Sequence, residues 1–362
     1  MISLEQLGYN SFVGQHAELF LAKGWTLARI TQEHRGSYSI RTELVELPAE
    51  VAGRMMFQAA SRIDYPAVGD WVAVEFYNND QRAVIRAIVP RRTTLVRKAI
   101  GKNTEQQIIA TNVDLVFIVH ALDQNFTLSR VERYLVVARE SGAMPILILS
   151  KKDCCSAGLV EHVKQETQAL AKDTPVILYD IHNAEEIASI AAFIQPGKTC
   201  CFIGPSGAGK STLINKLVGH EILATGEVRD FDAKGRHTTT ARQLIVLEHG
   251  GLLIDTPGIR ELGVWSANTG IDETFDDIQE LAVQCRFRDC THTHEPHCAV
   301  QQALQDGTLT AERFDSFLKL QQETKFTESK KSRDISVERK EKEKQRSKII
   351  KQYFKHKGRT KQ

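Results

Sequence analysis

The chain has 362 residues, which is too many for one ordinary domain and indicates two or three. Apolar residues make up 42% and charged residues 25%, as in a soluble globular protein. No apolar run reaches the roughly 18 residues of a membrane span, and no signal peptide is recognisable at the start. The seven cysteines are an odd number and include two adjacent pairs, which favours a reducing cytoplasm over a disulfide framework.

The net charge of +2 hides an asymmetry along the chain. Residues 325–362 carry 15 Lys and Arg against 5 Asp and Glu, so this basic tail has a charge of +10 and the remainder has −8. A basic tail on an acidic body predicts contact with a polyanion such as nucleic acid. The alternative is a solvated helix, because the stretch SVERKEKEKQRSKIIKQYF mixes both signs.

The N-terminal quarter of the chain contains two different residue patterns. Residues 1–23 are expected to form a loosely attached segment with a helix. Residues 24–98 contain about five short β-like runs separated by turn residues, which predicts a small barrel. An OB-fold is the natural candidate, since such barrels often bind oligonucleotides. A generic β-domain with solvated arginines is the alternative.

From residue 99 onward the pattern changes again. Residues 99–110 are expected to be a polar linker. In residues 111–266, continuous apolar runs alternate with helical stretches, which predicts a parallel sheet covered on both faces. The runs QLIVLEH and LLIDTPG, joined by a His-Gly-Gly turn, predict an antiparallel hairpin at one edge of that sheet.

A complete phosphate-binding motif lies within this α/β region. The stretch GPSGAGKS follows an apolar strand and precedes a helix, which is the context that confirms the motif. Its backbone N–H groups are expected to surround a β-phosphate, with Lys210 on the β/γ oxygens and the Ser211 hydroxyl on Mg²⁺. The predicted nucleotide contacts here are Gly204, Pro205, Ser206, Gly207, Ala208, Gly209, Lys210, Ser211 and Thr212.

Two later segments complete the phosphate end of the predicted site. Asp255 in DTPG is placed to hold Mg²⁺ directly or through water, and the Gly258 N–H to sense a γ-phosphate. The stretch GRHTTT lies between the two motifs, and Thr239 is our choice for the remaining Mg²⁺ ligand, with Thr238 as its rival.

The base-reading motif precedes the phosphate loop in the chain. It reads Ser150, Lys151, Lys152 and Asp153 where GTPases usually have Asn-Lys-x-Asp. The Asp153 carboxylate is an acceptor that matches the paired N–H donors of guanine, which adenine lacks. Ser150 replaces the usual asparagine, so one bracing amide is missing. The order of base, phosphate and switch motifs predicts a circularly permuted GTPase, because a parallel sheet tolerates a new chain start if strand neighbours are kept.

A cysteine and histidine cluster follows in the predicted C-terminal domain, residues 267–324. Cys285, Cys290, His292 and Cys298 form the pattern C-x4-C-x-H-x5-C, which suits a closed tetrahedral zinc site with one ion per chain. His294 and His297 are rival ligands for the imidazole position.

No glutamine follows DTPG, where Ras-like GTPases use one to orient the attacking water. Gly258 is followed by Ile259, and an apolar side chain cannot orient water. Lys210 and the metal still stabilise charge on the phosphates, so hydrolysis is expected to be slow. His237 is the candidate replacement, because a neutral imidazole accepts a hydrogen bond from water.

Together, the small barrel, the permuted motifs, GRHTTT, DTPGIRE and the Cys/His cluster resemble the ribosome small subunit-dependent GTPase A family, RsgA, also called YjeQ. The resemblance covers roughly residues 20–325. It implies a multidomain chain with an N-terminal OB-fold β-barrel, a central α/β circularly permuted P-loop GTPase and a C-terminal α-helical zinc-binding domain.

The resemblance also implies a function. We expect a cytoplasmic, monomeric, Mg²⁺-dependent GTP hydrolase that binds GTP and GDP, contacts the small ribosomal subunit and its rRNA, and acts in late maturation of that subunit. Stimulation of hydrolysis by the subunit, coupled to release, is part of this expectation. The alternative is an RNA- or ribosome-binding factor that uses GTP as a structural ligand without significant turnover. An ATP-driven kinase or ATPase is disfavoured by Asp153.

Overall fold

A computed structural model describes most of the chain. The described residues are 2–34, 36–77, 79, 81–98, 106–221, 223, 242–256 and 267–330. Within these ranges, no helix is both long enough and apolar enough to span a membrane.

Five strands form the predicted N-terminal barrel: β1 (Thr26–His34), β2 (Ser37–Arg41), β3 (Glu46–Val51), β4 (Trp71–Tyr77) and β5 (Arg82–Ile88). Their order is β1-β2-β3-β5-β4, and β4 pairs back onto β1, so the barrel is closed. Only β3 and β5 run parallel among these pairs. Alternate residues point inward, and Ile30, Ile40 and Ile85 are fully buried. The OB-type barrel expected from the sequence is confirmed. Helix α2 (Gly53–Gln58) and a short turn at Arg62–Asp64 connect β3 to β4.

The N-terminal segment is more firmly attached than the sequence suggested. Helix α1 (Ser11–Leu21) begins after Asn10, whose side chain accepts from the Val13 N–H. Leu7 and Val13 are buried against Trp71 of the barrel, so the segment covers one end of β4. The expectation of a loose segment is therefore wrong, because the apolar face of α1 has a partner that lies 50 or more residues away in the chain.

Part of the expected polar linker is a strand. Strand β6 (Thr94–Lys98) pairs antiparallel with β7 (Gln106–Thr111), and Ile108 and Ile109 of β7 are buried. The polar residues at the start of β7 favoured the prediction of a linker, although the second half of this strand is apolar. Residues 99–105 lie outside the described residues.

The central domain is built on a mostly parallel sheet. Its strands are β8 (Leu115–Ala121), β9 (Met144–Ser150), β10 (Val176–Leu178), β11 (Thr199–Ile203), β12 (Gln243–Val246) and β13 (Leu252–Asp255), in the order β10-β9-β8-β11-β13-β12. All neighbours are parallel except β12 and β13, which form the predicted antiparallel hairpin. β12 also pairs with β1, which joins the barrel to this sheet.

Helices cover both faces of the sheet. They are α3 (Leu128–Glu140), α4 (Ala157–Ala171), α5 (Ala184–Ala191) and α6 (Lys210–Val218). On one face, Val116 and Ile118 of β8 share a core with Val131 of α3. On the other, Phe117 of β8 shares a core with Leu213 of α6. Two buried faces explain why these strands are apolar without alternation.

The C-terminal part is helical and packs against α3. Its helices are α7 (Asn268–Thr274), α8 (Asp276–Val283), α9 (Ala299–Gln305) and α10 (residues 311–330). A Cβ atom added to Gly270 of α7 would lie 2.2 Å from the Val136 carbonyl oxygen, so α7 and α3 approach as closely as backbones allow. Arg313 of α10 donates to the Glu132 carboxylate at 2.8 Å, which fixes α10 on the same helix. Residues 331–362, most of the basic tail, lie outside the described residues.

A buried arginine joins the barrel to the strand that leads into the phosphate loop. Arg29 of β1 is 1% exposed, and its guanidinium donates to the carbonyl oxygens of Leu7, Gly69 and Asn112. It also donates to the Thr199 hydroxyl, 2.9 Å away, where β11 begins. Four partners from separate segments hold β11 in a fixed position relative to the barrel.

Candidate functional site

The predicted nucleotide-binding segments meet at one edge of the central sheet. The phosphate loop follows β11, the base-reading segment follows β9, and Asp255 ends β13. Because these strands are parallel, their carboxyl ends lie at the same edge, where ligands of open α/β sheets bind. Cys201 of β11 is level with Ile254 of β13, so Asp255 lies beside the start of the phosphate loop.

The phosphate loop has the backbone that its glycines predict. Gly204, Gly207 and Gly209 have φ angles of 144°, 78° and 86°, which only glycine adopts without strain. A Cβ atom on Gly204 would also lie 2.1 Å from the Val119 carbonyl oxygen. Helix α6 begins at Lys210 directly after this loop, so its N-terminal N–H groups and dipole face the site.

Lys210 is half enclosed by the loop that precedes it. Its ammonium group donates to the carbonyl oxygens of Gly204 and Pro205, at 2.8 and 2.6 Å. Burial lowers the pKa of Lys210 to about 8. A neighbouring phosphate favours the charged form of an amine, so nucleotide binding will raise this pKa again.

Asp255 is a buried carboxylate without a cationic side chain among its described contacts. Burial raises the pKa of Asp255 to about 6, and the hydrogen bond from the Thr256 N–H lowers it only in part. The Thr256 hydroxyl donates weakly to the Phe202 carbonyl oxygen at 3.4 Å, which ties β13 to β11. A carboxylate beside the hydroxyl end of a phosphate loop offers the hard oxygen ligands that Mg²⁺ prefers, so Asp255 and Ser211 fit the ion. The predicted contacts His237, Thr239 and Gly258 lie outside the described residues.

Ser150 braces the phosphate loop directly. Its hydroxyl donates to the Ala208 carbonyl oxygen at 2.8 Å and lies 3.3 Å from the His120 carbonyl oxygen. The asparagine amide of the usual Asn-Lys-x-Asp motif is missing here, and the shorter serine hydroxyl makes the contact with the phosphate loop.

The rest of the base-reading segment is held by its neighbours. Lys151 has a left-handed backbone, with φ of 61°, and its ammonium group lies 3.9 Å from an Asp123 carboxylate oxygen. Asp153 lies in a single 3₁₀ turn, Lys152–Cys154, and accepts from the Cys154 thiol at 3.4 Å. Asp153 is exposed and lies just after the carboxyl end of β9, at the nucleotide edge of the sheet.

Lys152 ties this segment to the loop that follows β10. Its ammonium group pairs with the Glu186 carboxylate, whose other oxygen accepts from the Asp180 N–H at 2.7 Å. The loop after Tyr179 therefore lies beside the base-reading segment, although it lacks the Ser-Ala pattern that usually backs the base. Neither Glu186 nor Tyr179 was among the site residues predicted from the sequence.

The cysteine and histidine cluster is assembled as predicted. The ligand atoms of Cys285, Cys290, His292 and Cys298 lie within 4.8 Å of one another. Cys285 Sγ lies 3.6 Å from His292 Nδ1 and 3.8 Å from Cys298 Sγ, while His292 Nδ1 lies 3.4 Å from Cys298 Sγ. A tetrahedron with bonds of about 2.3 Å has edges of about 3.8 Å, so these separations suit a four-coordinate metal.

The positions of the ligand atoms identify the histidine. His292 has a positive φ of 59°, and its carbonyl oxygen accepts from Gln301 Nε2 at 2.5 Å. Cys298 precedes α9 and its sulfur accepts from the Gln301 N–H at 3.4 Å. Within the described residues, neither His294 nor His297 joins the ligand group, so His292 is the imidazole of the cluster.

Comparisons with known proteins agree with this architecture. A family model described as "RsgA GTPase" matches residues 88–265. A protein of Lactiplantibacillus plantarum named "Small ribosomal subunit biogenesis GTPase RsgA 2" is 41% identical over 328 residues, which cover 90% of this chain and 91% of that protein. The chain belongs to the RsgA family. A relative from Opitutus terrae, "Small ribosomal subunit biogenesis GTPase RsgA", is 40% identical over 90% of both chains. RsgA membership makes the chain a ribosome-biogenesis GTPase.

Solved structures show the same fold. YjeQ from Thermotoga maritima aligns with a TM-score of 0.61 at 20% identity, covering 82% of this chain and 97% of that one. YloQ, described as a circularly permuted GTPase, aligns with a TM-score of 0.58 at 25% identity, covering 85% and 96%. An ABC transporter model also matches residues 188–357. That range contains the phosphate loop, a motif that unrelated nucleotide-binding proteins share, so the full-length relatives decide the family.

Proposed function

We propose that this RsgA protein binds the small ribosomal subunit late in its maturation, hydrolyses GTP there, and leaves after hydrolysis. The observation that carries the proposal is the convergence of a phosphate loop, a guanine-type carboxylate and a buried Mg²⁺-type carboxylate at one sheet edge. The names of the relatives supply the ribosomal target. The C-terminal helices and the metal cluster follow the DTPG segment in the chain, so the permutation makes the switch and the C-terminal domain consecutive in sequence.

Each part of the site has an assigned role in this proposal. The backbone of residues 204–212 and the Lys210 ammonium group bind the β- and γ-phosphates, and Asp153 accepts from the Watson–Crick edge of guanine. Ser211, Asp255 and Thr239 hold Mg²⁺, which supplies charge stabilisation on the β- and γ-oxygens when bound. The Gly258 N–H senses the γ-phosphate.

Turnover is expected to be slow in the isolated protein. Lys210 stabilises the charge that develops on the phosphates, but the sequence after DTPG contains no water-orienting glutamine. We assign that role to His237. Groups that align the attacking water and stabilise charge in GTPases raise the rate of hydrolysis by several powers of ten. A partner that positions His237 would therefore increase the rate of GTP hydrolysis strongly.

The surrounding parts are assigned to binding. We propose Zn²⁺ as the metal of the Cys/His cluster, since three thiolates and one imidazole form a closed structural zinc site. We assign the OB-type barrel and the basic tail, residues 325–362, to ribosomal RNA. The working division of the chain is 1–23, 24–98, 99–110, 111–266, 267–324 and 325–362. We expect a cytoplasmic monomer, and none of the seven cysteines forms a disulfide bond.

Single-turnover GTP hydrolysis with and without purified small subunits tests the proposal. We expect the subunit to raise the rate strongly and His237→Ala to reduce the stimulated rate while GTP affinity stays nearly unchanged. The His249→Ala variant is a matched control, because His249 lies in the β12–β13 turn. Equal rates with and without subunits would overturn the coupling. The alternative, a binding factor for which GTP is a structural ligand, predicts tight GTP binding and no turnover under either condition.

A further inference from the structure

Tyr179 lies at the nucleotide edge of the sheet, directly after β10. Its side chain is 2% exposed and packs in the same core as Phe202 and Ala208. A Cβ atom added to Gly209 would lie 3.5 Å from the Tyr179 hydroxyl and 3.9 Å from the Ser150 hydroxyl. The phenol group therefore reaches the point where the phosphate loop meets the base-reading segment.

The Tyr179 hydroxyl has no hydrogen-bond partner within the described part of the chain. The ring of Tyr179 is buried, but its hydroxyl oxygen is not among the fully buried polar atoms without a partner, so the hydroxyl is the part of the side chain that can be reached from the site. Burial, together with the negative charge of Asp153, raises the pKa of Tyr179 to about 12. The group is thus a neutral donor at every working pH, aimed at the site.

The bound base needs such a donor. Guanine presents two donors to Asp153 on its Watson–Crick edge and two acceptors, N7 and O6, on the adjacent edge. Asp153 is an acceptor only. The single proton of Ser150 is used by the Ala208 carbonyl oxygen, so Ser150 cannot also donate to the base. The Lys151 ammonium group lies toward Asp123.

We propose that the Tyr179 hydroxyl donates a hydrogen bond to the N7/O6 edge of the bound guanine. Ser150 and Tyr179 then divide between them the work of the asparagine that GTPases usually carry in this motif: Ser150 braces the phosphate loop, and Tyr179 contacts the base. The inference rests on the proposed guanine-nucleotide site and adds a specificity contact to it.

Equilibrium binding of GDP analogues to the full chain tests the inference. Tyr179→Phe should weaken GDP binding by about tenfold, the effect of one hydrogen bond of typical strength in a partly desolvated site. Because the hydroxyl makes no hydrogen bond within the described residues, the variant should leave the melting temperature of the nucleotide-free protein nearly unchanged. A merely structural role for the hydroxyl would lower that temperature.

The analogues identify the partner atom. With 7-deaza-GDP, which lacks N7, or with 6-thio-GDP, which keeps N1–H but replaces O6 by a weakly accepting sulfur, the effect of Tyr179→Phe should shrink to less than about twofold for the analogue that has lost the acceptor. A full-sized loss with both analogues, or no loss with GDP, would overturn the inference. Tyr38→Phe is the matched control, since Tyr38 is buried in the barrel. If the unmodified protein fails to bind GDP, the proposed function itself fails, which is a separate result.

Discussion

The Ser150 hydroxyl donates to the Ala208 carbonyl oxygen at 2.8 Å, and this bond joins two loops that lie 58 residues apart in the chain. In the usual motif order the base-reading loop comes after the phosphate loop, whereas here it comes before. The bond shows that permutation leaves the relative placement of these loops intact. What the permutation changes is the segment that follows DTPG, which here leads to the metal cluster.

The first prediction concerns this bond. Ser150→Ala should lower the free energy of unfolding by about 1–3 kcal/mol, because the buried Ala208 carbonyl oxygen loses its partner. GDP and GTP affinities should fall alike, since the bond shapes the part of the loop that both nucleotides contact. Thermal unfolding and competition binding measure the two effects. Ser189→Ala is the control, because the exposed Ser189 hydroxyl donates to the Glu186 carbonyl oxygen of its own helix. This variant should change neither the free energy of unfolding nor the nucleotide affinities appreciably.

The second prediction concerns base selection. Asp153→Asn should weaken GTP binding at least tenfold, because hydrogen bonds to a charged acceptor are worth about 1.5–3 kcal/mol, and it should favour xanthine nucleotides. Competition binding with GTP, XTP and ATP measures the preference. Asp180→Asn is the matched control, since that carboxylate accepts from the His182 N–H in the neighbouring loop. Equal affinity of the unmodified protein for ATP and GTP would contradict the assignment of Asp153.

Some parts of this site are predictable from sequence because their chemistry fixes a local pattern. The phosphate loop requires glycines at positive φ, and Gly204, Gly207 and Gly209 are spaced accordingly. The Cys/His cluster lies within 14 residues, so ligand spacing alone identifies it. The choice of His292 over His294 and His297 came only from the positions of the ligand atoms in the structure.

Other contacts depend on which elements become neighbours. Tyr179 reaches Gly209 only because β10 lies beside β9 in the sheet, and no local pattern distinguishes it from an ordinary core tyrosine. Its position directly after an apolar parallel strand was the available signal. The docking of α1 likewise depends on Trp71, and the strand character of β7 on its pairing with β6, neither of which is encoded within the segment itself.

The third prediction concerns the metal. Native mass spectrometry should find one zinc ion per chain, and Cys298→Ser should remove it and unfold the loop between α8 and α9, because binding energy at such a site is folding energy. Cys154→Ser is the control, as that cysteine is exposed and remote from the cluster in the sequence. Protein purified without chelators that contains no zinc would contradict the assignment.

The fourth prediction concerns the attachment of the C-terminal helices. Glu132 is 2% exposed, and burial raises its pKa, while Arg313 donates to it and to both oxygens of Asp277. Arg313→Met should lower the free energy of unfolding by about 3–5 kcal/mol, because it leaves a buried carboxylate without its cation. Arg133→Met, one position from Glu132, removes a more exposed pair with Glu323 and should cost about 1 kcal/mol or less. Equal effects of the two variants would show that the buried pair does not hold α10 on α3.

The last prediction concerns Asp255, whose pKa is raised to about 6 from an ordinary value of 3.8. The folded protein holds this proton more tightly than the unfolded chain does. The resulting stabilisation is fully present below pH 3.8 and is lost as the pH rises through about 6. At pH 7 the ionised carboxylate therefore destabilises the nucleotide-free protein, by up to about 3 kcal/mol for a shift of this size.

Asp255→Asn should consequently raise the melting temperature of the nucleotide-free protein at pH 7 and have little effect near pH 4. The amide oxygen can still accept from the Thr256 N–H, so the local backbone need not change. The same variant should lose the Mg²⁺-dependent part of GTP affinity, because an amide is a poorer ligand than a carboxylate for a hard cation. In the unmodified protein, Mg²⁺-dependent binding should weaken as the pH falls through 6. Melting curves across pH 4–8, with and without Mg²⁺ and GTP, measure all three effects. If Asp255→Asn is less stable than the unmodified protein at pH 7, burial does not destabilise the ionised carboxylate.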